Sequence, residues 1–274
     1  MIQVRYRIFN LAITATGRFL VARNRLLDLI GRDRSMEGCD AVATRHAIQS
    51  GQHALDAVLV KPGANAARAS VLICHGIGET VEQWLGVQQI LAVGGVASLV
   101  FDYSGYGRSA GIFNPSQSEQ DAVAAFHYLQ RLTAPLPVSI LGFSLGSGIV
   151  TAIVSRVAAH RLVLCAAFTS LRKAALSIGI PKPLALLTPP IWEAEDALRD
   201  CQVPVLVVHG ERDRLFPVRM AKELVSFCGA PSELVVVPGV AHNQPFRRPS
   251  LAYWGAVISW LLDEGAPGMR IPAE

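Results

Sequence analysis

The sequence predicts an α/β fold with a mostly parallel, eight-stranded sheet that helices cover on both faces. Short apolar and β-branched runs alternate with helical segments from about residue 70 to residue 263. About half of the residues are apolar (51%) and only 17% are charged, which suits a sheet that is buried on both faces. A length of 274 residues is enough for one domain with a large core.

The predicted elements follow one another in a regular order. Residues 44–48 and 54–60 predict an antiparallel hairpin at the edge of the sheet. Strands and helices then alternate over these ranges: strand 70–74, helix 80–92, strand 97–101, helix 117–132, strand 138–142, helix 147–159, strand 162–166, strand 203–209, helix 217–228, strand 233–237 and helix 249–263. An insertion of about residues 167–200 separates the sixth and seventh strands. The domain spans residues 43–264, and residues 265–274 predict a loose tail.

The segment Gly142-Phe143-Ser144-Leu145-Gly146 stands between a predicted strand and a predicted helix. Gly-x-Ser-x-Gly in this context is typical of a nucleophile elbow, a turn so tight that the serine backbone is strained. The residues two before and two after the serine must then be small, and the side chain of Ser144 is expected to project into solvent above the sheet. The alternative is a glycine-flanked turn with an incidental serine.

Two further residues fit the roles that a nucleophilic serine requires. A histidine must accept the hydroxyl proton, and a carboxylate must fix the histidine tautomer. Asp213 follows the seventh predicted strand and His242 follows the eighth, so both lie beyond carboxyl ends of strands, where α/β sheets carry functional groups. Glu211 is the nearer rival for the acid. Asp196 belongs to a charged run that is interpreted as a solvated helical face.

The loop after the third strand, His75-Gly76-Ile77-Gly78, is rich in glycine. Such a loop can present a backbone N–H to a developing oxyanion, and the N–H of Leu145 would be the second donor. The role of Glu79 stays open between substrate selection and capping of the next helix. His75 and His209 are interpreted as hydrogen-bonding struts.

Two loops carry a resemblance to a known family. Residues 101–109, FDYSGYGRS, and residues 168–171, FTSL, resemble the α/β-hydrolase superfamily, in the branch with depalmitoylases, monoacylglycerol-type lipases and small bacterial esterases. The resemblance covers about residues 43–264 and implies an α/β-hydrolase fold with a short lid insertion. It implies these roles: nucleophile Ser144, triad acid Asp213, base His242, and oxyanion-hole donors Ile77 and Leu145.

The resemblance places the lid in the insertion. Within the insertion, the segment Ile178 to Trp192 is apolar and rich in proline. An apolar lid favours acyl or alkyl groups, because burial of polar groups without partners is costly. We therefore expect this segment to contribute to substrate specificity, while the sequence does not identify the residues that bind substrate. The alternative is an ordinary surface helix with its apolar face on the core.

The expected activity is hydrolysis of carboxylic ester or thioester bonds through an acyl-enzyme intermediate. The alternatives are a serine peptidase of prolyl-oligopeptidase type, an acyltransferase and a non-enzymatic ligand receptor. We expect no metal, because the histidines are not spaced with cysteine or carboxylate partners, and no cofactor. No basic stripe with interleaved aromatic residues predicts nucleic-acid binding.

The first 42 residues predict a basic arm. Residues 1–34 hold seven arginines and two aspartates, a net charge of +5, whereas the whole chain carries +4. Residues 17–32 form a partly amphipathic helical pattern, which fits peripheral contact with an anionic membrane surface or a helix docked on the domain or on a second subunit. Scattered cysteines and the lack of a signal-peptide pattern predict a cytoplasmic location. The oligomeric state is not indicated.

Overall fold

The structure is a computed structural model that describes residue 16, residues 40–63 and residues 65–264. One sheet contains the eight strands β1 (Ala41–Ser50), β2 (His53–Pro62), β3 (Ala69–Cys74), β4 (Val96–Phe101), β5 (Val138–Phe143), β6 (Leu162–Cys165), β7 (Val205–Gly210) and β8 (Ser232–Val237). Their order is β1-β2-β4-β3-β5-β6-β7-β8. The β1–β2 and β2–β4 pairs are antiparallel and the other pairs are parallel, which confirms the predicted sheet.

The helices of the described residues connect these strands. They are α1 (Leu85–Val93), α2 (Pro115–Thr133), α3 (Leu145–Ile153), α4 (Leu171–Ser177), α5 (Lys182–Ala185), α6 (Ala194–Arg199), α7 (Val218–Phe227), α8 (Gln244–Arg247) and α9 (Leu251–Leu261). A 3₁₀ turn, Val81–Trp84, precedes α1, and another, Val154–Arg156, follows α3. The side chain of Asn114 accepts the N–H of Gln117 (2.9 Å) and so caps α2.

Some predicted boundaries differ from the observed ones. The helix predicted for 147–159 begins at Leu145 and ends at Ile153, and the chain is extended by Val157. The final helix, predicted for 249–263, begins only after Ser250, whose backbone is extended. The short helix α8 was missed. The strand β1 begins at Ala41, so the sheet includes two residues that were assigned to the arm.

The sheet separates two apolar layers. Alternate residues of each strand point to opposite faces, so that Leu72 of β3 faces one layer and Val71 and Ile73 face the other. Helices α2, α3 and α7 pack on the first face, and α1 and α9 pack on the second. The central strands are buried on both faces, which explains the apolar composition.

Four aromatic side chains form a cluster in the second layer: Trp84, Phe143, Phe246 and Trp254. Phe143, Phe246 and Trp254 each lie with ring centroids 5.5 to 5.9 Å from Trp84. Phe143 immediately precedes the predicted nucleophile, so this aromatic cluster packs against the end of β5 from the second layer.

Two predictions concern regions that the structure does not describe. The helical pattern of residues 17–32 and the predicted tail at 265–274 both lie outside the described residues. Among the helices that the structure does describe, none has the length and hydropathy of a membrane-spanning helix.

Helix α9 provides a matched test of the second layer. Trp254 is fully buried, whereas Leu251, one turn earlier, is 67% exposed. We expect Trp254→Ala to lower the free energy of unfolding by about 3–5 kcal/mol, because it leaves a cavity in the aromatic cluster. Leu251→Ala should change it by less than about 0.5 kcal/mol. Urea titrations measure both, and equal losses would contradict this packing.

Candidate active site

Ser144 lies in the turn between β5 and α3. Its φ of 52° and ψ of −116° place a non-glycine residue in a strained backbone conformation, which the surrounding structure must hold. The Ser144 N–H donates to the carbonyl oxygen of Cys165 (3.0 Å), and the Ser144 carbonyl oxygen accepts the N–H of Ser147 (2.9 Å). The residue is only 6% exposed, so the expectation of a serine projecting into solvent is wrong.

The glycines on either side of Ser144 allow close contacts with the neighbouring chain. A methyl group added at Gly142 would lie 2.5 Å from the Gly146 carbonyl oxygen, and one added at Gly146 would overlap the Cys74 carbonyl oxygen at the end of β3. Both positions therefore require glycine because of space. The turn at Ser144 is thus packed directly against the start of the loop that carries Ile77.

His242 connects Ser144 to Asp213. The Ser144 hydroxyl lies 3.0 Å from His242 Nε2, and His242 Nδ1 lies 2.6 Å from Asp213 Oδ2. Because an ionised carboxylate only accepts hydrogen bonds, Nδ1 carries the proton and Nε2 is free to accept the serine proton. The histidine ring packs edge-on against Phe216, with centroids 5.1 Å apart. The structure thus brings the three predicted residues into one hydrogen-bonded chain.

The carboxylate of Asp213 is fixed by the main chain of its own loop, between β7 and α7. Its Oδ1 accepts the N–H groups of Leu215 and Phe216, both at 2.9 Å, which leaves Oδ2 for His242. The rival acids lie elsewhere. Glu211 accepts the N–H of Gly239, and Asp196 lies in an exposed pair on α6.

His209 and His75 are both buried, and each bonds a main-chain carbonyl oxygen. His209 Nε2 donates to Phe216 (2.7 Å) and lies 3.5 Å from Asp213 Oδ2. Burial lowers the pKa of His209 and so favours its neutral form. His75 Nδ1 donates to the carbonyl oxygen of Gly76 (2.9 Å), and the Tyr103 hydroxyl donates to the carbonyl oxygen of His75 (2.9 Å). The hydrogen bonds of His75 and His209 are therefore those expected of residues that support the main chain.

Two backbone segments meet beside Ser144. Leu145 is the first residue of α3, and the first N–H groups of a helix have no acceptor within the helix and carry partial positive charge. On the other side, a methyl group added at Gly76 would come within 3.2 Å of Ser144 Cβ, so the loop carrying Ile77 lies against the serine. Gly78 follows with a φ of 75°, a conformation that favours glycine.

Glu79 holds this loop from inside the protein. It is buried, and its Oε2 accepts both the N–H of Gly76 (2.8 Å) and the indole N–H of Trp84 (2.9 Å). Burial raises the pKa of Glu79, while the nearby His75 ring and the two N–H donors act in the opposite direction. Its contacts make Glu79 a positioning residue that joins the loop to the aromatic cluster.

The insertion is anchored at both ends. The N–H of Ala194 donates to the Thr169 carbonyl oxygen (2.9 Å), and the buried indole of Trp192 donates to Glu119 on α2 (3.1 Å). A methyl group added at Gly148 of α3 would lie 2.9 Å from Trp192 Cβ, so the insertion packs on the helix behind Ser144. Within residues 40–63 and 65–264, no group of three or more His, Cys, Asp or Glu side chains is arranged to hold a metal ion.

Sequence reasoning missed the partners that hold these residues in place. Phe216 supplies an N–H to Asp213 and a ring face to His242. Trp84 supplies the indole N–H to Glu79. Asp102 accepts the N–H of Val81 (3.0 Å) at the start of the turn that carries Trp84. No spacing in the sequence distinguishes these residues from ordinary core positions.

A mostly parallel sheet with a strained serine turn and a His–Asp pair on later loops defines the α/β-hydrolase class. A family model described as serine aminopeptidase, S33, matches residues 65–192. That range includes Ser144 and ends before Asp213 and His242. The predicted resemblance to the α/β-hydrolase superfamily is therefore confirmed.

The chain is also similar in sequence to individual proteins. The uncharacterized protein Rv2307c of Mycobacterium tuberculosis is 31% identical over 179 residues, which cover 64% of this chain and 63% of that protein. Lysophosphatidylserine lipase ABHD12 of Danio rerio is 26% identical over 191 residues, which cover 62% of this chain and 50% of that protein. The chain thus spans less than two thirds of the length of these curated relatives.

A solved structure shows the same fold. The Pyrococcus furiosus esterase Pf2001 superposes with a TM-score of 0.68 at 18% identity, covering 86% of this chain and 96% of that chain. The observed sheet and helices thus have the arrangement of an α/β-hydrolase.

The buried carboxyl of Glu79 predicts a pH dependence of stability. A group whose pKa is raised by folding stabilises the protein below its unfolded pKa, and this contribution is lost as pH rises through the folded value. Glu79→Gln keeps an oxygen for both donors and does not titrate. The unfolding free energy of the wild type relative to this variant should therefore fall as pH rises from about 4. Urea titrations across pH measure the difference, and a constant difference would contradict the raised pKa.

Proposed function

We propose that this protein is a serine hydrolase that cleaves carboxylic ester or thioester bonds of apolar acyl or alkyl substrates. The observation that carries the proposal is the unbroken chain of hydrogen bonds, 3.0 Å from Ser144 Oγ to His242 Nε2 and 2.6 Å from His242 Nδ1 to Asp213 Oδ2. In this proposal Ser144 is the nucleophile, His242 the general base and Asp213 the group that orients the imidazole.

In the first half-reaction Ser144 Oγ attacks the substrate carbonyl carbon while its proton moves to His242 Nε2. The oxyanion that forms accepts hydrogen bonds from the N–H groups of Ile77 and Leu145. Asp213 stabilises the imidazolium. The bond from the carbonyl carbon to the leaving oxygen or sulfur then breaks, His242 returns its proton to that atom, and an acyl group remains on Ser144.

In the second half-reaction water replaces the leaving group. His242 takes a proton from the water, whose oxygen attacks the acyl carbon. The bond to Ser144 Oγ breaks, the serine regains a proton from His242, and the carboxylic acid leaves. If another alcohol or thiol replaced water, the same residues would perform acyl transfer.

The preference for apolar substrates rests on the composition of the insertion. Its described residues expose leucine and isoleucine side chains beside the loop that carries Asp213. The relative named as a lysophosphatidylserine lipase supports a substrate with an acyl chain.

The match to a family described as serine aminopeptidase favours peptide hydrolysis as a second candidate. An aminopeptidase must bind the substrate ammonium group, and Glu79 is the buried carboxylate nearest the loop of Ile77. Its Oε2 already accepts two protein N–H groups, which favours the esterase proposal. Comparing turnover of p-nitrophenyl esters with that of aminoacyl p-nitroanilides separates the two activities.

Replacement of the nucleophile is the direct test. We expect Ser144→Ala to lower kcat for a p-nitrophenyl ester by roughly 10⁴-fold or more and to abolish labelling by a fluorophosphonate probe. The thermal midpoint should stay close to that of the wild type, because the substitution removes one oxygen atom and a single hydrogen bond, the one to His242 Nε2. Activity within tenfold of the wild type would refute the assignment. Labelling of the wild type with negligible turnover of every ester would favour a receptor.

The acid is tested by a matched pair of substitutions. Asp213→Asn should lower kcat by roughly 10⁴-fold, because an amide donates to Nδ1 and stabilises the wrong histidine tautomer. Asp196→Asn makes the same chemical change at an exposed position and should alter kcat by less than about threefold. Steady-state assays measure both, and the reverse ranking would move the acid to Asp196.

A third comparison tests the positioning role of Glu79. Glu79→Gln keeps an acceptor for Gly76 and Trp84, so kcat should change by less than about threefold. Glu79→Leu removes the acceptor, and kcat should fall roughly 10- to 100-fold with little change in KM, because the Ile77 donor is displaced. If both variants raise KM and leave kcat unchanged, Glu79 binds substrate instead.

A further inference from the structure

The exposed apolar side chains of the described residues are concentrated in one region. Eleven large hydrophobic residues are exposed among all the described residues. Six of them lie in the insertion or just after Asp213, and each of these six is 39–56% exposed. We call this set the lid patch: Leu176, Ile178, Leu184, Leu186, Leu187 and Leu215. Contiguous exposed apolar surface of this kind marks an interaction site.

Local contacts join the segments that carry the lid patch. Leu176 and Ile178 lie at the end of α4, which packs against α5, where Leu184 begins the next group. The Ser177 hydroxyl donates to the carbonyl oxygen of Leu215 (2.5 Å), so the loop after Asp213 joins the same surface.

The lid patch is not the side of the insertion that faces the core. Leu171, Ala174 and Ala175 of α4 are buried and supply that side. Trp192 is buried as well and fixes the end of the insertion. The exposed leucines are therefore an additional apolar face that the described part of the chain leaves uncovered.

This face adjoins the candidate triad. The Leu215 N–H donates to Asp213 Oδ1 (2.9 Å), and Phe216, the next residue, packs against the His242 ring. A molecule bound at the lid patch would therefore lie next to the residues proposed to act on it.

Basic residues border the lid patch. Lys182, Arg212 and Arg214 are exposed, and none of them forms an ion pair with another described residue. Their acidic neighbour Glu211 accepts only the neutral N–H of Gly239, so it offsets one of these three cations, and Lys173 is already paired with Glu223 (2.7 Å). The border thus offers unpaired positive charge beside an apolar surface.

We propose that the lid patch docks on a bilayer that contains anionic lipid. Its leucines would enter the boundary between head groups and acyl chains, while Lys182, Arg212 and Arg214 would contact the anionic head groups. This charge complementarity favours a membrane over a second copy of the chain or the arm as the occupant. This docking site is separate from the basic arm. Docking there would bring the loop that carries Asp213 to the lipid surface.

The test uses the full-length protein carrying Ser144→Ala and no substrate, so its result does not depend on hydrolysis. Co-sedimentation with vesicles of phosphatidylcholine and phosphatidylglycerol at low salt measures partitioning. We expect Leu184→Ser/Leu187→Ser to weaken partitioning at least tenfold. Lys182→Gln/Arg214→Gln should weaken it roughly 25-fold, or about fivefold for each charge, and only on vesicles with anionic lipid.

A control pair is available at the opposite edge of the sheet. Val93 and Arg131 are exposed near the ends of α1 and α2, just before the next strands begin, so they lie far from the triad loops. Val93→Ser/Arg131→Gln should leave partitioning unchanged. Because all six substituted residues are exposed, thermal midpoints should match that of the parent, which separates a docking defect from misfolding.

Three outcomes would overturn the proposal. The first is that the parent protein does not partition onto anionic vesicles. The second is that the lid-patch variants partition as well as the parent, which would assign binding to the basic arm or another surface. The third is that sedimentation velocity finds a dimer that Leu184→Ser/Leu187→Ser dissociates, which would identify a second copy as the occupant. Docking without ester turnover would refute the proposed function alone.

Discussion

The strained turn at Ser144 is the constraint on which the rest of the site depends. A serine with a φ of 52° persists only if its neighbours fix both sides of the turn. Gly142 and Gly146 allow this fixation, because α3 and the end of β3 approach the turn too closely for any side chain. The same close approach brings the start of the loop that carries Ile77 to Ser144. The strained backbone of Ser144, the start of α3 and the position of the loop that carries Ile77 therefore depend on one another.

The parallel sheet assembles the remaining residues from distant parts of the chain. Ser144, Asp213 and His242 follow different strands, and the carboxyl ends of those strands meet at one edge. The loops then orient the side chains by main-chain hydrogen bonds, as Leu215 and Phe216 do for Asp213. The sheet determines which residues meet, and the loops determine how they point.

This division explains what could be predicted from the sequence. Ser144, Asp213 and His242 each follow a recognisable strand, and serine, acid and histidine in this chain order fit few kinds of site. The hydrogen-bonded chain contains those three residues. The contacts of Glu79 could not be predicted, because its choice between solvent, helix cap and Trp84 depends on where the fold brings Trp84. The end of α3 and the existence of α8 depend on single turns, for which local propensity is a weak guide.

The hydrogen bond from Trp84 to Glu79 carries a consequence for protein engineering. Trp84 packs in the core with Phe246 and Trp254, and the Glu79 carboxylate that it bonds also holds Gly76 beside Ser144. In the proposed function, stability and turnover therefore depend on the same contact and are not separate targets for optimisation. A library that repacks this part of the core and is selected by heat resistance alone would accumulate well-folded but slow enzymes. Selection at these positions has to score both traits in the same round.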